Sequence, residues 1–436
     1  MEVRFLGGAG EIGRSAVLLD DSLLLDYGMA SSTPPQYPVG DVAPDAVVVS
    51  HGHLDHGGAI PALLSGDDRP TVHWTPPTRD LVRTLAEDTL RLQGNTPQCP
   101  FTRTDLQRLG QVSETHGYGD SFTAAGYEVT LLDAGHIPGS AHLHVSDGET
   151  RLLYTGDFHT ADQRLVAGTT ARPDADVVVT ESTYADVSHT PRDRLEREFV
   201  ERLRETVWGG GTAVVPAFAV GRTQEIMLVC AAHDVGCYVD GMGTRVTDLL
   251  LENPEFLRHA DALRRARSHA RILGGRGGPR GGGLGSGSGG SLGPGSSARS
   301  VSREERERIA EGNTVVITTA GMLSGGPAMT YVPAISDHPG NFVALTGYQV
   351  EGTPGRDLLE TGSAELDGRR VPVAARVEQF DFSAHADREG LRSVVDDYPD
   401  SRLLVVHGDD CEGYAARLRR DGLDARAPAI GDRLTV

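Results

Sequence analysis

Four side chains able to bind a metal ion fall within six residues, His51-Gly52-His53-Leu54-Asp55-His56, and they follow directly on the apolar run Ala46 to Val49. No other feature constrains the fold as much. An apolar run of this length ending in a polar, glycine-containing turn reads as a buried strand, so the cluster must leave a sheet at a strand end. Imidazole and carboxylate suit zinc, and a tight turn can direct alternate side chains to two neighbouring ions. Further candidates repeat the arrangement: Asp26 follows Leu23 to Leu25, His136 closes Asp133-Ala134-Gly135-His136, Asp157 closes Tyr154-Thr155-Gly156-Asp157, and His407 follows Val405-Val406. Polar ligands presented repeatedly at strand ends call for a metal site on one edge of a sheet sandwich.

The rest of the chain supports an α/β architecture. Short apolar runs recur at Thr130 to Leu132, Leu152 to Tyr154, Val177 to Val179, Thr212 to Val215, Val315 to Ile317, Phe342 to Leu345 and Leu403 to Val406. Segments with helical spacing lie between several of them: Arg79 to Leu92, Pro191 to Val207, Thr223 to Ala232 and Arg388 to Asp397. Thr190 is expected to cap the second of these helices, with Pro191 as its first residue. From Gly274 to Ser300 the composition falls to Gly, Ser, Arg and Pro, which cannot bury enough apolar surface to offset ordering entropy; a disordered surface linker is expected there.

With 436 residues the chain is long for one compact domain and predicts two globular units. No apolar run approaches the roughly 20 residues needed to cross a bilayer, which excludes a membrane-embedded reading. The first residues show no export signal, so a cytoplasmic location is expected. Cys99, Cys230, Cys237 and Cys411 form no CxxC pair, as reduced thiols would. The formal charge is −20 and all 41 basic residues are arginine. That acidic, lysine-free composition resembles proteins of salt-accumulating archaea, in which surface carboxylates hold water while salt screens their repulsion. Acidity ordinarily opposes a nucleic-acid partner. At molar salt, however, the screening length shrinks to about 3 Å, and phosphate recognition then rests on metals and short-range donors.

The order Asp26, HxHxDH, His136, Asp157, His407 resembles the metallo-β-lactamase superfamily. The resemblance implies two zinc ions: His51, His53 and His136 on one, Asp55, His56 and His407 on the other, Asp157 bridging, and Asp26 orienting ligands from outside. Such a pair lowers the pKa of a bridging water and clamps the oxygens of an in-line displacement at phosphorus. Three more motifs resemble those of the β-CASP branch: Thr180-Glu181-Ser182-Thr183-Tyr184, Phe382-Ser383-Ala384-His385-Ala386-Asp387, and Val406-His407-Gly408. They imply that His385 donates a proton to the leaving oxygen while Glu181 holds and polarises it. Asp55, Glu181 and His385 are therefore the expected catalytic residues, Asp55 also as a ligand.

The segment between the first two motifs, about 200 residues that small lactamases lack, resembles the inserted β-CASP domain. It contains PAFAVGRTQE from Pro216, GMLSGGP from Gly321 and TGYQVEGTPGR from Thr346. Glycines at strand-to-helix junctions let backbone N–H groups approach a phosphate, which makes Ser324, Gly325, Gly326, Thr353 and Arg356 candidate RNA-backbone contacts. The implied architecture is a four-layer αββα metallo-β-lactamase sandwich, from residues 1–185 and 371–436, with a parallel-sheet α/β β-CASP domain inserted at 186–370. The implied activity is zinc-dependent hydrolysis of RNA, endonucleolytic, 5′-to-3′ exonucleolytic or both, with RNA as partner and a homodimer compatible with the resemblance. A DNA-directed nuclease, a thioester or lactone hydrolase and a non-catalytic RNA-binding scaffold are the alternatives. His73, His116, His142, His144, His159 and His233 receive structural roles only.

Overall fold

The structure is a computed structural model that describes all residues except 31, 33, 68, 95, 97 and 275–300. The low-complexity tract expected to be a linker thus lies, from residue 275 on, outside the described residues. Two compact units are formed, one from Met1–His189, Glu255–Arg258 and Ala384–Val436, the other from Thr190–Pro254 and His259–Ser383.

The first unit holds two seven-stranded sheets. One runs, in spatial order, through Arg433–Thr435, Glu2–Gly7, Ala16–Leu19, Leu23–Leu25, Ala46–Val48, Thr71–Trp74 and Ser113–Thr115. The other runs through Ala425–Arg426, Arg402–Val405, Val177–Thr180, Arg151–Tyr154, Ala141–Ser146, Tyr127–Asp133 and Ser121–Ala124. Side chains alternate across a strand, and here both sets are apolar. Val3, Phe5, Val17, Leu19, Leu25 and Val48 face Val129, Leu131, Leu143, Val145, Leu152, Val179 and Leu404 in one shared core. The opposite face of the first sheet, with Leu18, Leu24, Val47 and Val72, packs under Ile60, Leu64, Val82 and Leu109. On the second sheet, Leu153, Val178, Leu403 and Val405 are covered by Leu391, Val394, Val395, Tyr414 and Leu418 from two C-terminal helices. Strands buried on both faces read as unbroken apolar runs, and the layering is helix, sheet, sheet, helix. The chain's two ends meet in one sheet: Glu2 pairs with Thr435 and Arg4 with Arg433.

The second unit is built on a six-stranded parallel sheet, ordered Arg271–Ile272, Cys237–Asp240, Val315–Thr318, Ala213–Pro216, Phe342–Leu345 and Arg376–Gln379. Val214, Val316, Val343 and Leu345 pack there against Tyr331, Val332, Ile335 and Leu358. The helix expected from Pro191 begins one residue later, at Arg192, and Thr190 does not cap it. Pro191 is itself the residue before the helix, at φ −50° and ψ 130°, and its carbonyl accepts the first bonds, from Arg194 N and Leu195 N. Among the described residues no helix is long and apolar enough to cross a membrane.

Candidate metal centre

All the predicted ligands leave the C-terminal ends of strands in the first unit. His51 and His53 follow Ala46–Val48, and the four-residue helix Leu54–Gly57 carries Asp55 and His56. His136 follows Tyr127–Asp133, Asp157 follows Arg151–Tyr154, and His407 follows Arg402–Val405. The fold brings them into two groups whose ligand atoms lie within 4.8 Å of one another: His51, His53, His136 and Asp157, and Asp55, His56, Asp157 and His407. Asp157 belongs to both. Its Oδ2 lies 3.5 Å from His51 Nε2, and its Oδ1 lies 3.3 Å from His56 Nε2 and 3.4 Å from His407 Nδ1.

Among His51, His53 and His136, protons do not account for this packing. His136 Nδ1 donates to the Ala384 carbonyl at 2.8 Å, so in the neutral ring its Nε2 presents a lone pair, 3.1 Å from His53 Nδ1. His51 Nε2 approaches the same His53 nitrogen at 3.2 Å. Burial pushes the His51 and His136 imidazoles well below the ordinary value and His53 below it as well, with like-charged neighbouring imidazoles adding to the effect. Protonation, which would relieve the crowding, is disfavoured at all three rings. Among the described residues, Asp157 Oδ1 is buried and accepts no hydrogen bond. Lone pairs and an unsatisfied carboxylate oxygen converging in a buried space fit a divalent cation, and imidazole with carboxylate is a donor set suited to zinc.

Asp26 anchors the group from behind. Fully buried, it accepts from Ser50 N and Ser50 Oγ at 2.7 Å each and from Tyr154 OH at 2.9 Å, and it meets His56 Nδ1 at 2.6 Å. This fixes the His56 tautomer and turns Nε2 toward Asp157. Ser50 and Tyr154 carried no motif signal of their own, although each lies within three residues of a predicted ligand in sequence. Two further residues were likewise silent. Ser15 Oγ lies 3.2 Å from His407 Nδ1, and Gln163 Nε2 donates to the carbonyls of Gly135 and His136 at 3.0 Å, holding the His136 turn.

Glu181 and His385 stand beside the ligands. His385 Nδ1 is 3.0 and 3.2 Å from the two Glu181 oxygens and 3.9 Å from Asp157 Oδ2. Burial works against a charged ring here, but Glu181 and Asp157 outweigh it and raise the His385 imidazole to about 9. Glu181 Oε1 also accepts from Phe158 N at 2.8 Å, so the carboxylate that orients the histidine is itself held.

The five candidate RNA contacts lie in the second unit. Ser324, Gly325 and Gly326 form the turn between Val315–Thr318 and the helix Ala328–Ile335, with Ser324 exposed. Thr353 caps the helix Pro354–Thr361, its hydroxyl accepting from Arg356 N and donating to Val350 O. Arg356 pairs with Glu360 one turn on.

A sheet sandwich that converges histidines and aspartates on one buried point defines a metal-dependent hydrolase. The chain belongs to the metallo-β-lactamase superfamily and to its β-CASP branch. Residues 9–207 match the Metallo-beta-lactamase superfamily, residues 224–358 the Beta-Casp domain, and residues 370–428 the Zn-dependent metallo-hydrolase RNA specificity domain. RNase aCSPSF2 of Saccharolobus solfataricus is 33% identical over all of this chain and 85% of its own length. An RNase J-like protein of Methanocaldococcus jannaschii is 30% identical over 93% of this chain and 92% of its own. The transcription termination factor FttA of Pyrococcus abyssi is 33% identical over 97% of this chain and 69% of its own. In fold, a protein of unknown function from Enterococcus faecalis superposes with a TM-score of 0.59 at 12% identity, covering 100% of this chain and 99% of that one.

Proposed function

We propose that the chain is a ribonuclease that hydrolyses RNA phosphodiester bonds with two zinc ions, one held by His51, His53 and His136, the other by Asp55, His56 and His407, with Asp157 shared. The observation that carries this reading is the Glu181–His385 pair placed against Asp157, beside both ligand groups. A lactone or thioester needs no such proton donor, whereas cleavage of a phosphodiester expels an alkoxide that must be protonated. The relatives named as ribonucleases and the match to an RNA specificity domain support RNA over DNA.

Bound zinc supplies Lewis acidity and an activated water. This chain's own residues supply orientation and the proton. Glu181 holds the N–H at His385 Nδ1, which leaves Nε2 as the nitrogen that delivers a proton to the departing oxygen. Asp26 keeps His56 in the tautomer whose Nε2 carries a lone pair, and Gln163 fixes the turn that presents His136. Ser324, Gly325, Gly326, Thr353 and Arg356 remain proposed contacts to the RNA backbone. Thr353 acts there through the helix start it caps, and Arg356 only by exchanging Glu360 for a phosphate.

The test is cleavage, with zinc and in high salt, of 3′-labelled RNA carrying either a 5′-monophosphate or a 5′-triphosphate, with the His385→Ala variant in parallel. Loss of the donor should slow turnover by about 100-fold or more while the protein still binds RNA. Monophosphate-dependent loss of full-length RNA without defined labelled fragments marks a 5′-to-3′ exonuclease; discrete fragments from both substrates mark an endonuclease. No loss of either substrate refutes the RNA assignment, and wild-type turnover by His385→Ala refutes the proton-donor role.

A further inference from the structure

Outside the catalytic centre, the described residues contain one more group of histidine and glutamate side chains whose ligand atoms lie within mutual reach: His73, Glu114 and His116. None of the three belongs to the catalytic set, and the sequence gives the two histidines no motif. The fold assembles them. The strands Thr71–Trp74 and Ser113–Thr115 pair in parallel with His73 directly opposite Glu114, and His116 N donates to Trp74 O just beyond the pairing. His73 Nδ1 then lies 3.1 Å from His116 Nε2 and 3.7 Å from Glu114 Oε2.

The separation of the two imidazole nitrogens matches those of the catalytic centre, where His51 Nε2 and His136 Nε2 lie 3.2 and 3.1 Å from His53 Nδ1. Zinc–nitrogen bonds of about 2.0 to 2.1 Å at tetrahedral angles put two ligand nitrogens about 3.3 Å apart. The rings are held in place before any ion arrives. Phe122 stacks on His116 at 3.7 Å and 7° and on His73 at 4.8 Å and 22°. His73 is 4% exposed, His116 is half-buried, and the Glu114 side chain is 60% exposed, so the group is closed on one side and open to water on the other. Burial pushes both imidazoles below the ordinary value, against the pull of Glu114, which keeps their lone pairs available. Two imidazoles held by Phe122 and a carboxylate, with ligand atoms within 4.8 Å of one another, form a donor set that suits zinc or a similar borderline divalent ion.

We propose that His73 Nδ1, His116 Nε2 and the Glu114 carboxylate bind an additional, non-catalytic zinc ion whose remaining position is filled by water. The site fastens the three-residue edge strand Ser113–Thr115 to the interior strand Thr71–Trp74. It lies outside the catalytic machinery, so it can be emptied without touching turnover.

The experiment is equilibrium dialysis of the untagged full-length protein against zinc buffered over a rising range of free concentration. Bound metal per chain is counted by atomic emission for wild type, His116→Ala and Glu114→Gln, and RNA cleavage is measured on the same samples. The expected result is one zinc fewer at saturation in His116→Ala, at least a 10-fold weaker affinity for that same ion in Glu114→Gln, and unchanged cleavage in both. Glu114 is exposed enough for the glutamine variant to keep the fold. Equal zinc binding by all three proteins at every free concentration overturns the proposal and leaves His73 and His116 as hydrogen-bonded structural imidazoles.

Discussion

Replacing Asp26 by Asn keeps the size of a fully buried side chain and changes only what its two terminal atoms can accept. Oδ2 serves Ser50 Oγ, Tyr154 OH and His56 Nδ1, while Oδ1 serves Ser50 N alone. The amide has one acceptor oxygen and one donor group. Its lower-energy placement leaves the oxygen at the three-donor position and turns the NH2 toward the Ser50 N–H, two donors face to face. One buried N–H then lacks an acceptor, at about 1 to 3 kcal/mol, and the bond to His56 loses its charge assistance. His56 is then held in the ligating tautomer by a weaker bond to a neutral oxygen, and loss of such a supporting carboxylate weakens metal binding by roughly 10- to 100-fold. The effect should fall mainly on the ion proposed for Asp55, His56 and His407 and less on the one proposed for His51, His53 and His136, because Asp26 contacts His56 directly and reaches His51 only through Ser50 Oγ. Competition with a chromophoric chelator resolves the two affinities. Wild-type affinity at both sites, or an equal loss at both, would refute the assignment of Asp26 to His56.

Gly28 packs so closely on the ligand turn that a Cβ there would stand 1.8 Å from the Asp55 carbonyl oxygen. Gly28→Ala should therefore cost about 3 kcal/mol or more by forcing backbone apart, read as a lowered urea midpoint; an unchanged midpoint contradicts the packing. His142 is 1% exposed, and its Nδ1–H donates to Thr155 O at 2.8 Å, with burial holding the imidazole down at about 4. The unfolded chain takes up this proton below about 6.5 and the folded one only below about 4, so stability is full above the higher value and falls as pH drops between them. The loss is on the order of 3 kcal/mol at about 1.4 kcal/mol per pKa unit. Urea unfolding at neutral pH and near pH 4 should show that much less acid sensitivity in His142→Gln than in wild type, and identical acid sensitivity would refute the buried neutral histidine.

The strands were legible because their signal is local. Phe342–Leu345 is the apolar run itself, Val177–Thr180 extends its run by one residue, and Arg402–Val405 is displaced from its run by one residue at each end. Both faces of these sheets are covered, so apolar character persists along the strand without alternation. The start of the helix at Arg192 was misplaced by one residue because a proline can stand before a helix as well as open it, and only the backbone angles decide which. The ligand types were equally visible: HxHxDH compresses four of them into one turn, and the remaining ligands each close an apolar run.

What lies between the elements was not visible. Asp26 reaches Ser50 across 24 positions and Tyr154 across 128, and His73 reaches His116 across 43. Hydrogen-bond partners at such separations leave no periodicity, since any buried polar side chain can meet any other once the chain is packed. The amino-acid sequence by itself determined which residue types leave which strands, because strand formation and ligand chemistry are properties of short segments. The resemblance had implied that Asp157 serves both ligand groups and that Glu181 holds His385; the tertiary structure set those distances, and it alone brought two unremarkable histidines to a glutamate at a sheet edge. Those are distances between atoms far apart in the chain, set only when the two sheets close on their common core.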